Sequence, residues 1–397
     1  MRKVLTAAAL WDGSCAIADP VVAIEDGRIA SIAARRNQDP PREAGVHHFP
    51  GATLAPAFFD IHIHGAAGHD VMEATPEALS AIGRFLAAHG TGTYLATTVA
   101  APVDATLHAL EGLARLIERP ESIGAANPNG PPAAHPLGIH LEGPFLSHAK
   151  CGVQPREYLL EPDTVLFDRF FEAAQGHLRL MTLAPELPGA VELTAHASAR
   201  GVRVSLGHSD ATAAETRAAI AAGAKSATHT FNAMRALDRR EPGILGVVLS
   251  DDSLFAELIC DGIHSQPEIA KLFWRAKGAD RAILVTDAIS AAGMTDGEYN
   301  LGQLSVQVAD GKAIAHGVLA GSVLTLDRAL ANFVAFTGAP VLQALRLLTT
   351  NPASMTGRTH RAGSLAAGQP ANLVAVDANG VLIASLLEGQ PAHASAC

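Results

Sequence analysis

The sequence predicts an α/β chain whose larger part is a (β/α)8 barrel, and three observations carry that prediction. Eight short apolar runs suited to β-strands alternate with segments of helical periodicity. The polar residues able to do chemistry fall at the C-terminal ends of those runs, which is where such a barrel gathers its function. The length and hydrophobic content, 397 residues and 48%, suit one large core beside something small.

Residues 1–52 read as short strands joined by turns. Runs at 21–25 and 28–30 flank Asp26-Gly27, and Asp-Gly between alternating apolar runs is a strong hairpin signal. A similar texture returns at 363–365 and 371–377. We therefore assign residues 1–52 and 356–397 to a small β-sandwich domain built from both termini, and 53–355 to the barrel.

The eight candidate strands are 53–64, 93–99, 137–142, 178–183, 202–207, 226–230, 255–260 and 281–287. Several intervening helices carry start and stop signals. Thr75-Pro76 opens one, with Leu79, Ile82 and Leu86 at helical spacing and Gly90 beyond its end. Thr212 with Glu215, and Ser265 with Glu268, have the spacing of capping boxes, closed by Gly223 and Gly278.

Reading the strand ends in order yields His62 and His64 on the first, Glu142 on the third, His208 on the fifth, His229 on the sixth and Asp287 on the eighth. Asp60, His62 and His64 alternate, so on a strand they share one face. Neutral imidazole is the commonest protein ligand for a metal, and closure of a barrel would bring these scattered residues to one rim.

The bulk properties exclude several classes. With 29 Lys+Arg against 39 Asp+Glu, a formal net charge of -10 and no basic cluster, nucleic acid is not an expected partner. No uncharged apolar stretch reaches the ~18 residues needed to cross a bilayer, so a soluble chain with no membrane partner is expected. The start, Met1-Arg2-Lys3 and an apolar run, is cut short by Trp11-Asp12-Gly13 and reads as a strand instead of a signal peptide. Cys15, Cys151, Cys260 and Cys397 stand far apart without a C-x-x-C pair, which fits a reduced, cytoplasmic setting.

Four stretches carry a family resemblance: Gly138-Ile139-His140-Leu141-Glu142-Gly143-Pro144-Phe145, Ser205-Leu206-Gly207-His208-Ser209, Ala227-Thr228-His229-Thr230-Phe231-Asn232-Ala233-Met234 and Leu284-Val285-Thr286-Asp287-Ala288. Together the chain resembles the N-acetylglucosamine-6-phosphate deacetylases of the amidohydrolase superfamily over nearly its whole length. The resemblance implies a TIM-like metal-dependent hydrolase barrel beside a β domain from both termini. It implies Glu142, His208 and His229 as the principal metal ligands, with His62 and His64 as ligands of a second ion. One or two divalent ions per subunit follow, with zinc the default and iron, cobalt or manganese also suited to nitrogen and carboxylate ligands. Many amidohydrolases bridge two metals with a carbamylated lysine, but none of Lys3, Lys150, Lys225, Lys271, Lys277 and Lys312 falls at the C-terminal end of a candidate strand. Glu142 is placed to bridge instead.

The implied reaction releases acetate and glucosamine 6-phosphate, with Asp287 taking a proton from the attacking water and returning it to the departing amine. An unphosphorylated N-acyl substrate is the alternative. For the substrate, the resemblance implies His264, Asn232, the Ala233 backbone and Arg240, the last reaching a phosphate across a homodimer interface; arginine suits phosphate through its two-pronged donors. Gln154 departs from the family, which commonly has histidine there. Glutamine can hydrogen-bond a sugar hydroxyl but carries no proton at neutral pH.

Overall fold

The computed structural model describes residues 2–37, 45–124 and 130–394; Met1 and Cys397 lie outside them. Eight parallel strands pair in chain order: Phe58–Ile63, Thr91–Thr98, His135–Glu142, Leu178–Leu183, Arg203–Leu206, Ser226–Ala227, Phe255–Ile259 and Ala282–Val285. Nearly every residue of these strands is buried, as a parallel sheet covered by helices requires. The last strand meets the first through bonds at and beyond their ends. Asp287 N–H donates to the His62 carbonyl at 2.9 Å, and His64 N–H to that of Ala288 at 2.8 Å. Below them the Thr286 hydroxyl donates to Asp60 Oδ2 at 2.6 Å. The barrel is thereby nearly closed, with its C-terminal rim tied together at the residues of chemical interest.

Three expected strands differ in detail. The run 53–64 is divided between two sheets: Gly45–Pro56 pairs in the terminal sheet and Phe58–Ile63 in the barrel. Pro56 has no N–H to extend a ladder, and the next two amides turn to different partners, Ala57 to the Asn372 carbonyl and Phe58 to that of Gly90. The sixth strand is only Ser226–Ala227, because His229 and Phe231 take φ of 27° and 82°. The eighth ends at Val285, which leaves Asp287, φ 50°, on the turn that follows.

The helices follow their sequence signals in part. Pro76–Ala88 begins as expected, Thr75 accepting the Ala78 N–H at 3.2 Å. Ala213–Ala222 has both halves of the Thr212/Glu215 capping box and ends at Gly223. The Ser265/Glu268 box does not form: Gln266 occupies the cap position and the Ser265 hydroxyl is buried without a partner. Pro267 at the first helical position needs no amide partner, so this start does not depend on a side-chain cap. Gly278, φ 59°, interrupts that helix where a stop is expected.

The two ends of the chain share an eight-stranded sheet. Arg2–Trp11 lies parallel to Gly45–Pro56, and Leu373–Val376 runs antiparallel to the latter. This sheet encloses a separate apolar cluster that includes Leu5, Leu10, Leu54, Leu373 and Leu386. Asp26 and Gly27, at φ 48° and 78°, form the two-residue turn between Glu25 and Arg28, both left-handed as a type I′ hairpin requires. A further antiparallel sheet not foreseen in the sequence, Gly297–Leu301, Leu304–Ala309, Lys312–Ala315 and Val318–Leu319, follows the last barrel strand. No described helix is long and apolar enough to cross a membrane.

Asp60 is fully buried, and burial pushes its carboxyl up to about 7 against the bonds from Thr286 and His62. Removing the Thr286 hydroxyl leaves that carboxyl short of a donor inside the barrel. Thr286→Val should cost about 1–3 kcal/mol of stability, read as a lower urea midpoint. An unchanged midpoint would remove this bond from the closure of the barrel.

Candidate metal centre

Glu142 ends the third strand, only 2% exposed, and four imidazoles converge on it from three other parts of the rim. Its Oε1 lies 3.4 Å from His62 Nε2, 3.3 Å from His208 Nε2 and 3.2 Å from His229 Nε2. Its Oε2 lies 3.4 Å from His64 Nε2. Asp287 Oδ1 faces the first pair, 3.1 Å from His64 Nε2 and 3.5 Å from His62 Nε2. The donor atoms form two overlapping groups, His62 with His64 and Glu142, and Glu142 with His208 and His229, each with all its atoms within 4.8 Å of one another.

The hydrogen bonds behind the rings decide what the Nε2 atoms present. His64 Nδ1 lies 3.0 Å from the Thr97 carbonyl, and His208 Nδ1 lies 3.0 Å from that of Lys150. His62 Nδ1 lies 3.3 Å from the carboxylate of Glu257. Each partner only accepts, so each Nδ1 holds the proton and the Nε2 lone pair points at Glu142. His208 and His229 even bring their Nε2 atoms within 3.0 Å of each other, and His62 Nε2 is buried with no hydrogen-bond partner. Converging lone pairs and carboxylates repel unless a cation lies among them. The donor set therefore fits one or two divalent ions with nitrogen and oxygen preference.

The same electrostatics appear in the acidities. Burial opposes charge on His64, yet Asp287 and Glu142 raise it to about 9: the carboxylates draw positive charge to Nε2, whether a proton or a metal ion. Burial likewise opposes charge on Asp287, and His62, His64 and His229 outweigh it, holding the carboxyl down at about 2. The backbone bears strain at this place. His208, His229 and Asp287 have φ of 46°, 27° and 50°, a left-handed region that residues other than glycine seldom adopt. Each turns sharply just past its strand, so the side chain projects over the rim. Strain of this kind concentrates at functional sites.

A cavity of about 270 Å³ opens over the centre, lined by His64, Glu142, His208, His229 and Asp287. Asn232, Ala233, His264 and Gln154 line it as well. Asn232 is held by its side-chain amide, which donates to the His229 carbonyl at 3.1 Å. His264 Nδ1 lies 2.7 Å from Asp261 Oδ2; burial opposes its charge, but Asp261 raises it above the ordinary histidine range. Gln154 spends its amide on the protein: Nε2 donates to Glu142 Oε2 at 2.8 Å and Oε1 accepts the Ala100 N–H at 2.9 Å. Arg240 is exposed, anchored through its backbone N–H to Asp238, and is absent from this lining.

Sequence reasoning missed three contributions. Leu301, Val318 and Leu319 of the added sheet cover the cavity, and no motif announces them. The Thr97 and Lys150 carbonyls orient two histidines, and backbone groups leave no trace in residue identity. Glu257 left one trace, as the single acid in the otherwise apolar strand Phe255–Ile259.

Residues 53–392 match the amidohydrolase family model. The chain is 38% identical over 378 residues to an N-acetylgalactosamine-6-phosphate deacetylase of Escherichia coli O157:H7, covering 95% of this chain and 96% of the relative. It is 35% identical over 375 residues to the N-acetylglucosamine-6-phosphate deacetylase of Bacillus subtilis (strain 168), covering 94% and 93%. A mutant N-acetyl-D-glucosamine-6-phosphate deacetylase from Mycobacterium smegmatis, solved with N-acetyl-D-glucosamine-6-phosphate, superposes with a TM-score of 0.89 at 34% identity over 99% of each chain. With a barrel whose strand ends assemble two carboxylates and four imidazoles, and relatives of this closeness along its length, the chain belongs to the amidohydrolase family, in its N-acetylglucosamine-6-phosphate deacetylase branch.

Proposed function

We propose that this chain is a metal-dependent deacetylase that hydrolyses N-acetylglucosamine 6-phosphate to glucosamine 6-phosphate and acetate. The observation that supports it most is the set of Nε2 lone pairs of His62, His64 and His208 turned onto Glu142, with His229 Nε2 and the Asp287 carboxylate beside the same point. Glu142, His208 and His229 hold one ion in this reading, and His62, His64 and Glu142 a second, zinc being the first choice. A divalent ion there supplies Lewis acidity toward the amide carbonyl and toward water.

The chain's own residues do the remainder. Asp287 takes the proton of the water that attacks the acetyl carbon, and gives it to the sugar nitrogen as the C–N bond breaks. His264, held by Asp261, and Asn232 with the Ala233 backbone orient the sugar phosphate. Arg240 reaches the phosphate of a neighbouring subunit in a cytoplasmic homodimer, which accords with its exposure outside its own cavity. Gln154, with its amide engaged by Glu142 and Ala100, steadies the shared carboxylate and, from the cavity wall, offers its remaining N–H to a sugar hydroxyl.

A second reading keeps the chemistry and changes the sugar: the E. coli relative is named for N-acetylgalactosamine 6-phosphate. Acetate release from both sugar phosphates and from unphosphorylated N-acetylglucosamine separates these readings. N-acetylglucosamine 6-phosphate should be turned over fastest, and equal rates with and without phosphate would sink the roles of Arg240 and His264. Arg240→Ala should raise KM for the phosphorylated sugar and leave the unphosphorylated one unaffected.

Asp287→Asn should lose about 10²- to 10⁴-fold in kcat, the usual worth of acid–base catalysis, while retaining its metal. Activity within tenfold of the parent would take Asp287 out of the proton-transfer role. Dialysis against a chelator should abolish acetate release, and added zinc should restore it. Full activity in demonstrably metal-free protein would refute the metal assignment.

A further inference from the structure

Glu257 stands in the middle of the seventh barrel strand with no exposed surface. A carboxylate removed from water needs donors or positive charge close by. Among the described residues its side chain meets two donors, His62 Nδ1 at 3.3 Å and the His229 backbone N–H at 3.1 Å, both through Oε2. Its Oε1 has no hydrogen-bond partner, and no lysine or arginine among the described residues forms an ion pair with it. The Glu257 carbonyl also accepts the Thr230 N–H at 2.8 Å, so this one residue touches the first and sixth strand ends together.

The four histidines at the centre are not oriented alike. His64 and His208 turn their Nδ1 atoms to backbone carbonyls, and His229 Nδ1 has no partner. His62 alone is backed by a carboxylate. Such a partner fixes the tautomer, raises the donor strength of the opposite nitrogen and places a negative charge one imidazole away from the ion. That charge matters most where two dications must share Glu142, since no lysine stands at the C-terminal end of a barrel strand to supply a bridging carbamate.

We propose that Glu257 is the positioning residue of the His62 half of the centre: its carboxylate holds His62 with Nε2 bare and directed at Glu142, and so makes the chain a two-ion centre. This rests on the metal reading given under the proposed function.

The test titrates metal-free full-length protein with Co(II), following ligand-field absorption, with ions per chain counted by elemental analysis. The proteins are the parent, Glu257→Gln, His62→Ala and the double variant. The parent should take up two ions. Glu257→Gln, which keeps shape and an acceptor but loses the charge, should bind the second ion about 10- to 100-fold more weakly and the first within about threefold. The double variant should bind no more weakly than His62→Ala. Unchanged second-ion affinity in Glu257→Gln, equal weakening of both ions, or a parent that takes up only one ion would each overturn the proposal. A parent that binds no ion at all would instead refute the metal reading itself.

A second measurement needs no Glu257 variant. In the zinc-loaded parent with ¹⁵N-labelled histidine, a strongly downfield Nδ1 proton, assigned to His62 by its loss in His62→Gln, is expected. Its absence would overturn the carboxylate–imidazole contact.

Discussion

Everything at the rim of this barrel depends on one buried carboxylate. Glu142 lies within 3.4 Å of four imidazole nitrogens, and its second oxygen also accepts from Gln154. Bringing that many lone pairs together in a dry interior is costly without a cation. The barrel bears this cost because three of the rings are held from behind, by Glu257, by Thr97 and by Lys150, and cannot turn away. Rings locked in this way give a centre the rigidity that metal sites require.

The residues gathered around Glu142 also close the barrel. His62 and Asp287 are joined through their backbones, and Asp60, two residues before His62, is bonded to Thr286, one residue before Asp287. Barrel closure and the candidate site therefore share two adjoining strand ends. The left-handed turns at His208, His229 and Asp287 are tolerated because the surrounding sheet and the loops above it determine them.

Gln154 links the cavity wall to the central carboxylate. Its amide donates to Glu142 and accepts from Ala100. The side chain lines the cavity and is also engaged with the protein at both ends of its amide. The loop from Gly143 to Pro155 supplies both Gln154 and the Lys150 carbonyl, so it steadies Glu142 and His208 at once.

Much of this was legible in the residues. Buried parallel strands need unbroken apolar runs, and a metal site needs imidazole and carboxylate, so His62, His64, Glu142, His208, His229 and Asp287 could be picked out by type and position. Helix starts with a local cap, such as Thr212 with Glu215, were equally readable, because that bond spans only three residues. What tertiary structure alone decided was long-range. It split the run 53–64 between two sheets at Pro56, withheld the cap from Ser265, and turned Gln154 inward. It also set Glu257 behind His62 across 195 positions of chain. Residue type limits which bonds a side chain can make; only the closed barrel determines which partner comes within reach.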